Sequence, residues 1–386
     1  MSSRIFYWNI STPMNASKEK KMKKKIFFES ELSPSDTKRY LRQLILDDCT
    51  PENQKKLFRA RILVVGLGGL GIPVCLYLVG SGVKHIGIAD GDKIELTNLH
   101  RQVIYNEEDV GKSKVLVMKD KLLKMNAELT VKTHDEFVVK DNVEMVNEYD
   151  IIVDCSDNIS TRYLLNDNTR DRQFVCASVL RWDGEIYLFS KNDACYRCLY
   201  PIPKSNPESC NDSGIVGGIC GVVGSLLSVE IIKMVFFETK SKLLIYDGKG
   251  GEVKTVKLRE RQSTCLACNK KAISTNITLN YKQLVRVDEK YKIPWNEYFE
   301  NTGKYDLIDV RKKKMFVLAH VKGSRNIPMD SFNLNELTKK MPLIVCAKGS
   351  TAQAVARTLL DNNIECRVVK DGLVSFKRDI DPDFPL

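Results

Sequence analysis

No apolar run of about 18 residues stands out, and the first 15 residues hold no apolar core of roughly 7 to 15 residues behind a charged start. These absences count against a spanning helix and a secretory leader. Internal repeats and long low-complexity stretches are missing as well. So is a complete P-loop: Gly111-Lys112-Ser113 matches its end, but the required first glycine falls at Asn106. The chain is expected to be soluble and cytosolic, with no membrane partner and no requirement for direct nucleic-acid binding.

At 386 residues the chain is long enough for two domains, since single cores stop growing near about 250 to 300 residues. Lys and Arg number 60 against 49 Asp and Glu, a net charge of +11. Much of the excess sits in Lys18, Lys20, Lys21, Lys23, Lys24 and Lys25, within a segment, 1–32, read as a solvated, disordered basic leader. Twelve cysteines in an intracellular chain of this length point to metal ligation or thiol chemistry rather than disulfides.

Residues Arg61 to Val65 (RILVV) read as a strand buried on both faces, ending in Gly66-Leu-Gly68-Gly69-Leu-Gly71. Ile72 to Gly80 supplies a helix, and His85 to Ala89 the next strand, ending at Asp90. Further strands are expected at Ile151–Val153 and Val175–Val179, giving an α/β domain with a mostly parallel sheet. The stretch from Leu199 to Ser213, rich in Pro, Ser and Asn, reads as a mobile loop, followed by a long apolar helix from Gly221 to Phe237. A first domain over 33–270 and a polar linker over 271–280 lead to a smaller α/β domain over 281–386. In that domain strands are expected at Tyr305–Val310 and Pro342–Val345, and a helix at Ala352–Leu360.

The glycines at 66, 68 and 71 let the backbone turn tightly and bring amides and a helix N-terminus to phosphates, with Asp90 placed to accept from a ribose. That pattern fits a nicotinamide dehydrogenase equally well. The tie breaks on Asn98-Leu-His-Arg101-Gln102, Gly111-Lys-Ser-Lys114 and Asp154-Cys-Ser-Asp157-Asn158. Adenylation needs cations on a triphosphate and a carboxylate for magnesium, parts that Arg101, Lys114 and Asp157 supply and that hydride transfer does not use. Two CxxC knuckles, Cys195/Cys198 and Cys265/Cys268, make a four-thiolate set suited to a closed, structural zinc site.

With Arg39-Tyr-Leu-Arg42-Gln43 at the front and Cys195-Tyr-Arg-Cys198-Leu-Tyr-Pro at the back, these motifs resemble the ubiquitin-activating-enzyme-like adenylyltransferases, the family of MoeB and ThiF, over roughly residues 35 to 270. The resemblance implies a Rossmann-like, Zn2+-tied adenylation domain using ATP and Mg2+. Gly69, Asp90, Asn98, Arg101, Lys114, Asp157 and Asn158 would bind the nucleotide, with Asp90 on the ribose, Asn98, Arg101 and Lys114 on phosphates, and Asp157 on magnesium. It also implies a homodimer in which Arg42 reaches the partner's site, and zinc on the four cysteines.

The C-terminal part resembles a rhodanese domain in Asp309-Val-Arg311, His320-Val-Lys-Gly323-Ser-Arg-Asn326-Ile-Pro328 and the loop Cys346-Ala-Lys-Gly349-Ser-Thr351. A strand delivers Cys346 to a helix start, where amides and the helix dipole would stabilise a thiolate or persulfide. Two positions depart from the pattern: Ala347 stands where relatives usually carry arginine, and Ala352 where the loop usually ends in a hydroxyl residue. Cys210, in the expected mobile loop, is a candidate acyl acceptor, a role that the resemblance supports in some relatives and not in the MoeB type. The combination resembles eukaryotic adenylyltransferase and sulfurtransferase proteins serving molybdopterin synthase and tRNA thiolation. It implies a ubiquitin-like sulfur-carrier protein ending in Gly-Gly as substrate and a cysteine-desulfurase-type sulfur donor. Two rivals stay open: a nicotinamide oxidoreductase, and an adenylating enzyme whose rhodanese domain only docks partners.

Overall fold

The structure, a computed structural model, describes residues 32–191, 193–201, 214–265, 267–268 and 287–385. The leader, the linker over 271–280 and Cys210 lie outside the described residues.

Helices α1 (Pro34–Leu44) and α2 (Pro51–Arg59) open the chain. Each starts on a hydroxyl cap, Ser33 Oγ accepting from Asp36 N at 3.0 Å and Thr50 Oγ1 from Asn53 N at 3.2 Å, with proline in the first turn. Then come β1 (Arg61–Val65), α3 (Gly71–Ser81), β2 (His85–Ala89), α4 (Lys114–Met125), β3 (Thr130–His134), β4 (Ile151–Asp154), α5 (Ile159–Asn168), β5 (Gln173–Leu180) and β6 (Asp183–Phe189). The short α6 (Tyr196–Leu199), the long α7 (Gly217–Phe236), β7 (Lys242–Asp247) and β8 (Glu252–Lys257) complete this part.

Its eight strands form one sheet in the order β3-β2-β1-β4-β5-β6-β7-β8, parallel through β5 and antiparallel from β5 to β8. Alternation along β1 sends Ile62 and Val64 into one core and Leu63 and Val65 into the other, on opposite faces of the sheet. The edge strand β8 is exposed throughout, and Lys254 and Lys257 on it discourage pairing with another sheet.

One expectation needs correcting. Helix α7 begins at Gly217, not Gly221, and its 20 residues are long and apolar enough to cross a membrane, although no such run was expected. More than half of it is buried, against α3, β5 and β6. Glycines and serines dilute its apolar signal, and two of the glycines are there for packing: a Cβ at Gly217 would stand 2.2 Å from His100 O, and one at Gly224 would stand 2.4 Å from Pro73 Cγ and 2.8 Å from Leu70 O. Glu230, near its end, is ion-paired with Lys233 at 2.8 Å and Lys242 at 2.7 Å.

The second sheet is all parallel, in the order β11-β10-β12-β13-β9. Its elements are β9 (Lys292–Ile293), α8 (Trp295–Glu300), β10 (Tyr305–Asp309), α9 (Lys313–Leu318), β11 (Arg325–Asn326), β12 (Met341–Val345), α10 (Ser350–Asp361), β13 (Arg367–Val369) and α11 (Gly372–Asp379).

Two glycines of α3 give a paired test. A Cβ at Gly71 would lie 1.9 Å from Gly66 O, whereas nothing lies within 4 Å of one at exposed Gly80. Gly71→Ala should cost more than about 2 kcal/mol, and Gly80→Ala should gain roughly 0.5 to 1 kcal/mol, both read from denaturant unfolding.

Candidate active site

The C-terminal ends of β1 and β4 lie side by side, Val65 opposite Asp154, where the strand order reverses direction. Open α/β sheets bind ligands at such a crevice. Gly66, at φ +91°, brings the loop after β1 against the loop after β4: a Cβ there would be 2.8 Å from both Cys155 C and Ser156 N. The segment 98–102 closes over the same glycines, since a Cβ at Gly69 would lie 3.3 Å from Arg101 O and one at Gly68 would lie 3.6 Å from Gln102 Nε2. No side chain caps the N-terminus of α3 at this loop, as an anion-accepting helix start requires.

Asp90 follows β2, and its carboxylate accepts from Leu67 N at 2.7 Å and Asp92 N at 2.8 Å. Burial pushes its carboxyl up despite the nearby Lys114 cation and these two amides. Lys114 opens α4, capped by Ser113, and its ammonium donates to Asp92 Oδ2 at 2.9 Å. The Lys114 side chain is 5% exposed and that of Asp92 55%, so the cation is buried beneath its exposed partner.

Asn98 is buried; its Oδ1 accepts from Gln102 Nε2 at 2.7 Å and its Nδ2 donates to Glu95 Oε2 at 3.2 Å. Arg101 is half-buried, with Nη1 donating to Thr97 O at 3.0 Å and lying 2.9 Å from His100 Nε2. Burial first, and then the Arg101 charge, push the His100 imidazole down, so it stays neutral as an acceptor.

The two aspartates of Asp154-Cys-Ser-Asp157 differ. Asp154 is fully buried and bonded to Arg162 Nε at 2.7 Å, while Asp157 is exposed at the crevice. Asn158 caps α5, its Oδ1 accepting from Ser160 N at 2.9 Å. The structure therefore brings Gly69, Asp90, Asn98, Arg101 and Lys114 around the glycine loop, with Asp157 and Asn158 just beyond the turn after β4 that lies against Gly66.

Arg42 is not among them. It is exposed in the last turn of α1, whose neighbouring Gln43 donates to Ser81 O at 3.2 Å. That is the end of α3 remote from the glycine loop, some 16 Å along an 11-residue helix.

Cys195, Cys198, Cys265 and Cys268 are buried, with all four sulfurs within 4.8 Å of one another. Four of the six separations lie between 3.5 Å (Cys268 to Cys195) and 3.9 Å (Cys195 to Cys198). Tetrahedral thiolate coordination at Zn–S of about 2.3 Å gives edges of about 3.8 Å, so the four fit a metal of that kind. Outside them Asn166 Nδ2 lies 3.7 Å from Cys195 Sγ, and Gln262 N donates to Cys198 Sγ at 3.4 Å.

Cys346 directly follows β12 and is 1% exposed, its Sγ accepting from Ala352 N at 3.3 Å in the first turn of α10. The carbonyls of Cys346 and Ala347 accept from Leu373 N at 2.9 Å and Val374 N at 3.0 Å. Ala352 brings no hydroxyl to the loop but donates its amide to the sulfur. Asp309 and Arg311 are buried, paired at 2.7 Å. Asn326 Nδ2 donates to Asp309 O at 2.9 Å and Arg311 O at 2.8 Å, so this motif braces the ends of β10 and β11.

Comparison with known proteins matches residues 40–267 to the ThiF family and residues 296–379 to the rhodanese-like domain. The chain belongs to the ThiF family. It is 34% identical to the adenylyltransferase and sulfurtransferase MOCS3 of Culex quinquefasciatus, over 92% of this chain and 91% of that one. To the protein of the same name from Dictyostelium discoideum it is 32% identical, over 93% and 98%. Among solved structures, E. coli MccB with ATP superposes with a TM-score of 0.53 at 23% identity, covering 66% of this chain and 80% of that one, a likeness of fold.

This ThiF-family chain is thus an enzyme of the adenylyltransferase and sulfurtransferase class, which sets aside the nicotinamide reading. Arg162 and the Arg197–Asp167 pair were missed from sequence; the one legible signal was the position of Arg162, one helical turn after Asn158. For the knot, Cys265→Ser should abolish stoichiometric zinc, measured by atomic absorption, and cost on the order of several kcal/mol of stability.

Proposed function

We propose that this enzyme adenylates the C-terminal glycine carboxylate of a ubiquitin-like sulfur carrier ending in Gly-Gly and then converts that end to a thiocarboxylate. What carries the reading is the grouping of two cations, Arg101 and Lys114, and the exposed carboxylate of Asp157 around one glycine loop, in a chain that also presents a rhodanese-type cysteine.

In this mechanism Asp90 accepts from the ribose, the uncapped start of α3 and Asn98 hold phosphate, and Arg101 and Lys114 neutralise charge on the triphosphate. Asp157 holds Mg2+, which supplies further neutralisation of the leaving pyrophosphate. The carboxylate oxygen of the carrier attacks the α-phosphorus, the bond to pyrophosphate breaks, and an acyl-adenylate remains. The terminal sulfur of a Cys346 persulfide then attacks the acyl carbon and AMP leaves; a thiol reduces the resulting acyl disulfide and frees the thiocarboxylate. Cys210 is proposed as an alternative first acceptor, giving a thioester that the persulfide sulfur then attacks.

The remaining parts of the reading are proposals of the same kind. Zn2+ occupies the four-cysteine knot as a structural ion; the position of Arg42, remote from its own crevice, suits a homodimer in which it serves the partner's. A cysteine-desulfurase-type protein loads Cys346, in the cytosol. The docking-only reading of the rhodanese domain draws on the near-complete burial of Cys346 and on Ala347 and Ala352.

Mass spectrometry of a Gly-Gly carrier incubated with ATP, Mg2+ and a sulfur donor separates the two. The catalytic reading predicts the mass gain of oxygen replaced by sulfur, reduced at least about 100-fold in rate by Cys346→Ser. An unchanged rate in that variant would leave docking as the role of the domain.

A further inference from the structure

Helix α5 is clamped at both ends, to two different sites. At its start Asn158 Oδ1 accepts from Ser160 N at 2.9 Å and Thr161 N at 3.4 Å. One turn on, Arg162 Nε donates to Asp154 Oδ2 at 2.7 Å and Nη2 to Ala177 O at 2.7 Å. The other oxygen of Asp154 accepts from Ser156 N at 3.0 Å and Ser156 Oγ at 2.6 Å. These bonds fix both flanks of Asp157.

The far half of α5 holds the first cysteine knuckle. Asn166 Oδ1 accepts from Tyr196 N at 2.8 Å. Asp167 takes Arg197 in a fork, Nε to Oδ1 at 2.7 Å and Nη2 to Oδ2 at 2.8 Å. Tyr163 OH donates to Tyr200 O at 2.9 Å, and the Arg197 guanidinium lies 4.5 Å from the Tyr163 ring centroid. The two clusters also meet directly, the Arg162 guanidinium lying 5.8 Å from the centroid of Tyr196, inside the knuckle.

We propose that α5 is a strut through which the four-cysteine knot sets the position of the Asp157 loop, with Arg162, Asn166 and Asp167 as positioning residues. Movement of the knuckle between Cys195 and Cys198 carries Tyr196 and Arg197 with it. Arg197 is 2% exposed and Asp167 8%, so pulling this buried ion pair apart is costly and the two move together. The displacement is passed on along a rigid helix of about 15 Å to Arg162 and Asp154. Asp90, just after β2, and Lys114, in α4, lie on the other side of β1 and are outside this path. The consequence for nucleotide binding rests on the reading of Asp157 as the magnesium ligand; the mechanical link does not.

Hydrogen exchange on the full chain tests the link by comparing a peptide over 154–162 with one over 85–92. Stripping the metal with a chelator should speed exchange in 154–162 on the order of tenfold while leaving 85–92 unchanged. Asp167→Asn, which keeps all four cysteines and the metal, should give the same selective change, and Asp167→Glu should partly restore the slow rate. An unchanged 154–162 peptide, or an equal rise in both peptides, overturns the proposal. If the stripped protein unfolds, the metal-loaded Asp167→Asn variant decides. Asp157→Ala, assayed for Mg2+-dependent binding of a fluorescent ATP analogue, tests the magnesium reading separately, and its failure would leave the exchange result standing.

Discussion

The crevice depends on one close approach of backbone to backbone. At Gly66 the turn leaving β1 lies against the Cys155–Ser156 peptide leaving β4, and Gly71 lies against Gly66, at distances that exclude any Cβ. Because the two turns touch, the uncapped start of α3 lies beside the turn that leads to the exposed Asp157. Widening that contact by a methyl group would push the two turns apart. The parallel pairing of β1 with β4 supplies the alignment, and burial of both strands on both faces keeps it rigid.

Charge in the crevice is held in reserve by internal pairs. Lys114 is a buried ammonium tied to an exposed carboxylate, and Asp90 is a half-buried carboxylate whose oxygens accept two amides and which lies within reach of that ammonium's field. The sulfur end follows a similar logic with neutral groups. The Ala352 amide in the first turn of α10 donates to Cys346 Sγ, and the carbonyls of Cys346 and Ala347 are drawn off by the start of α11. That donor belongs to the backbone, so alanine at 352 leaves it in place.

Much of this was legible because the informative residues are contiguous. The glycine loop, the DCSDN turn and the two knuckles each announce themselves over a few positions, and the strands leading to them read as short apolar runs. Helix bounds shifted by a few residues, α7 most of all, because glycines needed for close packing interrupt its apolar pattern. What could not be read are side-chain pairings: that Asp154 is consumed by Arg162, that Lys114 is buried against Asp92, that the end of α1 carrying Arg42 packs at the end of α3 remote from the glycine loop, and that Asp309 and Arg311 brace a turn. No periodicity encodes which of two aspartates in one motif faces a buried arginine.

The central claim is that this crevice activates a carboxylate with ATP, and isotope exchange between pyrophosphate and ATP tests it most directly. The account predicts exchange only when a Gly-Gly carrier and Mg2+ are both present, with almost complete loss in Asp157→Ala and none of it dependent on Cys346. Absence of exchange with any such carrier, in protein that is folded and metal-loaded, would contradict it.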